Sequence, residues 1–172
     1  MMPQVRHILY ATDLSHNSAY AFRYAVDFAL KHDSKISLLH VLEPLPVTAA
    51  ALAEAMLPQE QLQKLRNEKR SHTLDKIRKR LKFFCEKELP DDPESQARIA
   101  SVIVTQGFAA DEILQKADEL DCDAIIMGTH GKGLLAHTFL GSTAKRVLRR
   151  TRKPVFVIPL PKGETDITFH DD

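Results

Sequence analysis

Short apolar segments that alternate with helical segments constrain the fold of this chain more than any other feature. The segment VRHILYAT (5–12) has the β-branched and aromatic content of a buried strand, and SKISLLHVLEP (34–44) repeats that pattern. Between them, apolar residues recur at helical spacing from Phe22 to Ala29. Two strands joined by a helix predict a parallel crossover, because antiparallel strands need only a short turn. The candidate N-caps of the helix are Ser15, Asn17 and Ser18.

The same alternation continues along the chain. A long amphipathic helix (60–89) follows Pro58, and its apolar stripe has spacings of three and four. The later predicted elements are a strand at 97–107, a helix at 109–121, a strand at 122–128, a helix at 142–151 and a strand at 153–160. We therefore expect an α/β fold with one open five-stranded parallel sheet, strand order 3-2-1-4-5, and helices on both faces, which is a Rossmann-like arrangement.

The length of 172 residues fits one domain, which we place at 1–160, with a helical insert region at 45–94 and a polar C-terminal tail at 161–172. Cys85 and Cys122 follow no metal or redox spacing and are expected to be reduced thiols. No run of about 18 apolar residues suits a membrane span, and the first residues lack the apolar core of a secretory signal. We expect a cytoplasmic protein without membrane insertion.

The charge pattern argues against nucleic acid as a partner. The net charge is +1, so the chain has no global attraction to a polyanion. The basic stretch RNEKRSHTLDKIRKR (66–80) has no interleaved aromatic residues and fits the solvated face of a helix. A second basic cluster at 145–153 follows the start of the last helix and complements its dipole. The histidines have no zinc-binding spacing, so we expect neither DNA, RNA nor a metal site.

Four of the six glycines lie in one stretch, IIMGTHGKGLLAHTFLGSTAKRVL (125–148). Two common phosphate-binding patterns fail there. The P-loop requires a glycine five residues before the Gly-Lys pair, and Ile126 stands at that position before Gly131. The dinucleotide pattern G-x-G-x-x-G/A is matched by Gly131, Gly133 and Ala136, but no carboxylate follows about 20 residues later.

A longer pattern fits the same stretch. Gly128, Gly131 and the pair Gly141-Ser142 form G-x2-G-x9-G-S after an apolar strand, which resembles the nucleotide-binding motif of the universal stress protein family. HILYATDLS and ISLLHVLEP are similar to the family's first two strands, and DAIIMGTHGKG and GSTAKRVLRRTRKPVFVIP follow its closing half. The resemblance covers about residues 4–160. It implies an adenine nucleotide alpha hydrolase-like fold that binds ATP, or ADP or AMP, with or without Mg²⁺.

The strand ends predict where this ligand binds. In an open parallel sheet, ligands bind beyond the carboxyl ends of the strands, where the strand order reverses. Glycines let the backbone approach a ligand, the first amides of a helix favour phosphate, and the Asp13 carboxylate can accept hydrogen bonds from ribose hydroxyls. The resemblance further implies that the backbone near Val41 reads the adenine edge. The candidate nucleotide-binding residues are Ala11, Thr12, Asp13, Val41, Met127, Gly128, His130, Gly131, Gly141, Ser142 and Thr143.

Several of these residues also have a purely structural interpretation. Gly128 can simply end a strand, and Gly141-Ser142 can be no more than an N-cap. Asp13 can cap the first helix rather than contact a ribose. His40 lies within a buried strand and is expected to be a hydrogen-bonded core histidine.

The resemblance implies an ATP-binding protein that acts as a regulatory switch in a stress response. The alternatives are a nucleotide-independent dimeric interaction protein and a slow ATPase. We assign no catalytic residues, because one carboxylate, Asp13, is a poor basis for efficient phosphoryl transfer; weak hydrolysis or autophosphorylation stays open. The segment PVFVIPL (154–160) is a predicted edge strand, and exposed edges invite pairing. Family members usually dimerise through this strand, so the resemblance implies a homodimer.

Overall fold

The structure is a computed structural model that describes residues 3–44, 58–89, 92–129 and 140–159. Every predicted strand and helix that falls within these ranges is present. The elements in chain order are β1 (His7–Thr12), α1 (His16–His32), β2 (Lys35–Leu42), α2 (Gln59–Glu88), α3 (Pro93–Ala97), β3 (Ile99–Gln106), α4 (Ala109–Glu119), β4 (Ala124–Gly128), α5 (Ser142–Arg150) and β5 (Val155–Ile158).

The five strands form one parallel sheet in the order β3-β2-β1-β4-β5, as the sequence predicts. The strand β1 is central and pairs with β2 on one side and β4 on the other. Ala11 lies opposite Leu39 of β2 and Met127 of β4, so the carboxyl ends of these three strands lie at the same edge of the sheet. The strand order reverses between β1 and β4, which creates the crevice that parallel sheets use for ligands.

The first face of the sheet is covered by α1 and the C-terminal part of α2. The predicted apolar stripe of α1, from Phe22 to Ala29, is buried there. The Phe22 ring lies 5.2 Å from the Tyr10 ring and 4.9 Å from the Phe84 ring, measured between centroids. Phe22 therefore joins the sheet to both helices, and Ser15 caps the start of α1 by accepting the Ser18 N–H.

The second face of the sheet is covered by α4 and α5. Alternate strand residues point to this face, as the period of a strand requires. Its buried residues are Leu9, Ala11, Leu39, Ile125 and Met127 from the sheet, Ala110, Ile113 and Ala117 from α4, Cys122, and Ala144 and Val147 from α5. Both faces are thus buried, which is why β1 and β4 read as nearly continuous apolar runs.

The helix α2 is a single helix of 30 residues, about 45 Å long at the usual rise per residue. The predicted apolar stripe is confirmed: Leu81 and Phe84 are buried, and Leu74 and Ile77 pack beside Leu81. These contacts lie in the C-terminal half of the helix and cover β3.

The short helix α3 was not predicted from the sequence. In the sequence, the prolines of PDDPES indicate only the end of the long helix. In the structure, Asp92 accepts the N–H groups of Glu94 and Ser95, and Pro93 occupies the first turn, where its missing N–H costs nothing. The helix positions Arg98, which pairs with Asp33 and Glu94.

Other differences are confined to element ends. The strand β2 stops at Leu42, directly before Glu43 and Pro44, and β5 is four residues long. The division into a domain at 1–160 and a tail at 161–172 stays a prediction, because residues 160–172 lie outside the described ranges. The same holds for residues 45–57 of the insert region.

We expect Phe22→Ala to destabilise the fold by about 3–5 kcal/mol, the usual cost of removing a buried aromatic side chain. The residue is fully buried at the junction of α1, α2 and β1. Urea unfolding followed by circular dichroism measures the change. The matched control is Phe83→Ala, because 65% of Phe83 is exposed. Equal losses in the two variants would contradict the assigned core.

Candidate functional site

Thr12, Asp13, Val41 and Gly128 lie at the carboxyl edge of the sheet, beside the point where the strand order reverses, and we call this region the crevice. Thr12 ends β1 opposite His40, and Gly128 ends β4 opposite Ile158 of β5. The strand ends thus bring the predicted residues of β1, β2 and β4 together, Ala11 and Met127 included. Two predicted residues, His130 and Gly131, lie outside the described ranges.

Only one carboxylate oxygen of Asp13 has a hydrogen-bond partner among the described residues. Its Oδ1 accepts the Ser15 N–H at 3.1 Å and the Ser15 hydroxyl at 2.6 Å. Its Oδ2 is buried and has no hydrogen-bond partner among the described residues. A buried oxygen without a partner is costly, because it has lost its water and gained nothing. The helix cap is Ser15, so Asp13 supports the loop on one side and keeps a free acceptor on the other.

The backbone at Leu14 adopts a left-handed conformation, with a φ of 62°. Such a φ is uncommon for a residue with a side chain and costs about 1–3 kcal/mol. Leu14 is held there because its side chain is buried beside Leu81 and its N–H donates to Thr12 Oγ1 at 3.1 Å. The sharp turn at Leu14 sets the position of the residue before it, Asp13.

The Val41 carbonyl points past the end of β1. Successive residues of a parallel strand direct their backbone groups to opposite neighbours. Leu42 accepts the Gly107 N–H at 3.0 Å and therefore faces β3, so Val41 faces β1. The next donor on that side would be the Leu14 N–H, which is bonded to Thr12 Oγ1 instead. The Val41 carbonyl is thereby directed into the crevice.

A buried hydrogen-bond chain supports the crevice from below. His40 Nδ1–H donates to the Thr12 carbonyl at 2.7 Å, which confirms His40 as a bonded core histidine. The Thr12 hydroxyl donates to Ser18 Oγ at 2.9 Å, and the Ser18 hydroxyl in turn donates to the Ser15 carbonyl at 2.8 Å. Tyr10 donates to the Ser18 carbonyl, and burial raises the pKa of its phenol above the ordinary value. The chain fixes the loop that carries Asp13.

The start of α5 is tied to the end of β4. Gly141 N–H donates to the Thr129 carbonyl at 2.7 Å, and Thr129 N–H donates to the Ile158 carbonyl at 3.0 Å. Gly141 is the N-cap of α5 and has no side chain to bond the first amides, which belong to Ser142 and Thr143. Amides of this kind, together with the helix dipole, favour an anion. The predicted residues Gly141, Ser142 and Thr143 are thus held beside the end of β4.

Thr105 lies at the same edge of the sheet and is not among the residues that the sequence indicates. It lies in β3 directly opposite Val41, and its Oγ1 is the only other buried side-chain atom in the described part of the chain without a partner. The available signal was a hydroxyl in the segment SVIVTQG, two residues after the apolar Ile103 and therefore on the same face of the strand.

A separate groove of about 550 Å³ lies at the opposite, amino edge of the sheet, between α4 and the start of β5. Two of its three cations are paired. Lys153 Nζ donates to the Cys122 carbonyl at 2.8 Å and lies 3.4 Å from Asp118, while Arg150 pairs with Asp111.

The described residues suggest no metal or thiol chemistry. No cluster of three or more His, Cys, Asp or Glu side chains in the described ranges could hold a metal ion. Cys85 and Cys122 are free thiols, and both are buried. Burial raises the pKa of these thiols to about 12 and about 11, which keeps them protonated and weakly reactive at neutral pH. No helix among the described residues is long and apolar enough to span a membrane.

Fold and crevice together define an α/β protein with an open, doubly wound sheet and a ligand crevice at the reversal of strand order. Comparison with known proteins makes the assignment specific. The model of the universal stress protein family matches residues 4–159, and the chain belongs to that family.

Individual relatives align with this chain along most of their length. Universal stress protein MJ0577 of Methanocaldococcus jannaschii is 27% identical over 158 residues, which is 92% of this chain and 97% of the relative. Its solved structure superposes with a TM-score of 0.73 at 25% identity and covers 94% of this chain and 100% of that one. Universal stress protein YxiE of Bacillus subtilis is 30% identical over 154 residues, or 88% and 97% of the two chains.

One solved relative was crystallised with a nucleotide. It is a universal stress protein in complex with cAMP, with 17% identity, a TM-score of 0.55, and coverage of 91% of this chain and 98% of that one. At this identity the likeness establishes the shared fold.

We expect Thr12→Val to destabilise the protein by about 1–3 kcal/mol, because the buried Leu14 N–H loses its acceptor. Chemical unfolding monitored by fluorescence or circular dichroism measures this loss. Thr73→Val, on the exposed surface of α2, is the matched control and should change stability little. A Thr12 variant as stable as the control would mean that the turn at Leu14 does not depend on this hydroxyl.

Proposed function

We propose that this universal stress protein binds ATP, or another adenine nucleotide, in the crevice at the carboxyl edge of the sheet and acts as a regulatory switch in the stress response. The observation that carries the proposal is the unpartnered, buried Asp13 Oδ2. A carboxylate oxygen in this position is suited to the two hydroxyls of a ribose, which supply the hydrogen bonds that the protein does not.

Two further features support a nucleotide over other small ligands. The Val41 carbonyl is an acceptor on the same side of β1, where the amino group of adenine can donate to it. The first turn of α5 carries no acidic residue and begins at Gly141, so its amides can meet phosphate oxygens without repulsion. Ribose, base and phosphate thus each have a complementary group.

The role of magnesium follows from the same residues. Asp13 is the one carboxylate of the proposed set, and Oδ1 is already engaged by Ser15. A bound Mg²⁺ would therefore be held mainly by the nucleotide phosphates and water rather than by a protein cage. The ion would neutralise phosphate charge and leave the base and ribose contacts unchanged.

A slow ATPase is the less favoured form of this function. Efficient phosphoryl transfer needs groups that position both the metal and the attacking water. Turnover above background that is lost in Asp13→Ala would favour the enzyme over the switch.

The protein is expected to carry a bound adenine nucleotide, which denaturation followed by chromatography and mass spectrometry would detect. Titration calorimetry should then show that Gly141→Val weakens ATP binding at least tenfold, or about 1.4 kcal/mol. Gly141 has φ −64° and ψ 160°, which valine adopts readily, so the variant folds while its side chain obstructs the approach of phosphate.

Leu148→Ala is the control in the same helix, because Leu148 is exposed and lies far from the helix start. The switch proposal fails if the unaltered chain carries no nucleotide and shows no binding to ATP, ADP or AMP, with or without magnesium. Undiminished binding by the Gly141 variant would mean that the site is elsewhere.

We also propose a homodimer through the segment 154–160. The strand β5 is an edge of the sheet, and Pro154 and Ile158 direct their carbonyls to β4. By alternation, Val155 and Val157 direct their backbone groups to the open edge, ready to pair with a second copy.

An aromatic surface beside this edge favours the same partner. The Phe156 ring lies 4.9 Å from the Phe28 ring of α1 and is 37% exposed, and Tyr24, one turn away on α1, is 46% exposed. A contiguous apolar surface next to an open strand edge is typical of an interaction site. This surface is also the specific support for the alternative of an interaction protein that works without nucleotide.

Phe156→Lys in both copies should convert the dimer to monomer, because it places two like charges in the apolar contact. Light scattering coupled to size-exclusion chromatography measures the mass directly. Phe83→Lys, at an exposed phenylalanine on α2, should leave the mass unchanged. A monomeric unaltered chain, or a Phe156 variant that stays dimeric, would refute this interface.

A further inference from the structure

The Thr105 hydroxyl is a buried polar group that has no hydrogen bond within the described part of the chain. Thr105 is the second-last residue of β3 and lies opposite Val41 of β2. Ile103 of the same strand packs on the second face of the sheet, so Thr105, two residues later, also points to that face. The hydroxyl therefore belongs to the same edge of the sheet as the crevice.

An unpartnered hydroxyl at such a position has a physical cost. Burial removes its hydrogen bonds to water, and the penalty persists until another group supplies a partner. A valine would fill nearly the same volume without that penalty. Thr105 and Asp13 are the two residues of the described chain with such an atom, and both lie at the carboxyl edge of the sheet.

The two residues with unpartnered atoms, Thr105 and Asp13, lie on one line across the sheet with Val41 between them. Thr105 stands on β3, Val41 beside it on β2, and Asp13 directly follows β1. Neighbouring strands are about 4.8 Å apart, so Thr105 and Asp13 are separated by about 10 Å along this row. A nucleoside whose ribose meets Asp13 and whose base lies over Val41 extends toward Thr105.

We propose that the Thr105 hydroxyl contacts the base of the bound nucleotide at the purine 6-substituent and so helps to determine which base the crevice accepts. The inference rests on the proposed nucleotide site and adds a specificity-determining residue to it. The Val41 carbonyl can only accept a hydrogen bond, whereas a hydroxyl can donate or accept. With adenine, the 6-amino group has two hydrogens, one for each oxygen.

The expected effect is a selective loss of affinity. Thr105→Val should weaken ATP binding about five- to tenfold, the value of one neutral hydrogen bond. It should not weaken binding of purine riboside triphosphate, which lacks the 6-amino group. Thr105→Ser, which keeps the hydroxyl, should bind ATP nearly as the unaltered chain does.

The stability of the ligand-free protein separates this role from a structural one. Thr105→Val removes an unpartnered buried hydroxyl, so its melting temperature should be equal to or higher than that of the unaltered chain. If the Thr105 hydroxyl instead stabilised the fold, Thr105→Val would have a lower melting temperature than the unaltered chain. Lower affinity for ATP together with unreduced stability is the combination that the proposal requires.

The matched control is Ser101→Ala, which deletes a hydroxyl from the other end of β3. Ser101 is already hydrogen bonded to Ser37 at 2.7 Å, so its loss should lower stability and leave ATP affinity unchanged. Titration calorimetry with both triphosphates and thermal melts of all four proteins complete the experiment.

The outcomes distinguish this inference from the function on which it rests. Equal ATP affinity in Thr105→Val and the unaltered chain, with Gly141→Val impaired, overturns the role of Thr105 and leaves the nucleotide site intact. Equal losses for ATP and purine riboside triphosphate also overturn it, since the 6-substituent would then play no part. No binding by the unaltered chain overturns both proposals.

Discussion

The hydrogen bond from the Leu14 N–H to the Thr12 hydroxyl is the interaction on which the crevice depends. A regular ladder would bring this N–H to the Val41 carbonyl and continue β1 by another pair. The side chain of Thr12 takes it instead, so β1 ends two residues earlier than its neighbour β2, at the level of His40. The chain then turns through the left-handed Leu14, and both Asp13 and the Val41 carbonyl are left facing the same space. The Thr12 hydroxyl thus ends the ladder at the level where Asp13 and Val41 lie side by side.

Most of the fold could be predicted because it follows from periodicity, which is local. The stripe from Phe22 to Ala29 and the one from Leu74 to Phe84 identify helices and their buried faces, and both are confirmed. The helix α3 could not be predicted in this way because it is a single turn, where one N-cap and one proline outweigh any apolar periodicity. Short elements of this kind depend on side-chain hydrogen bonds that composition does not reveal.

The candidate site was predictable only in part, for a different reason. Strand ends and the glycine spacing indicate Asp13, Val41 and Gly141, because the topology of a parallel sheet determines where such residues meet. Thr105 could not be identified in the same way. Thr105 is a candidate because its buried hydroxyl has no hydrogen-bond partner among the described residues. The absence of a partner is a property of three-dimensional packing rather than of a residue type. The hydrogen-bond chain through His40, Thr12 and Ser18 beneath the crevice likewise depends on three-dimensional packing.

The crevice and the edge of the sheet are physically connected, which matters for a protein proposed to act as a switch. The Thr129 peptide accepts the Gly141 N–H at the start of α5 and donates to Ile158 of β5. Two hydrogen bonds therefore join the predicted phosphate contact to the strand proposed to pair with a second copy. The connection alone does not make a switch, because a ligand shifts an equilibrium only by its difference in affinity for the two states. It does identify where that difference would have to arise: a nucleotide that draws the α5 amides toward its phosphates would act on the hydrogen bond from Gly141 to Thr129 and, through the Thr129 peptide, on the hydrogen bond to Ile158 at the end of β5.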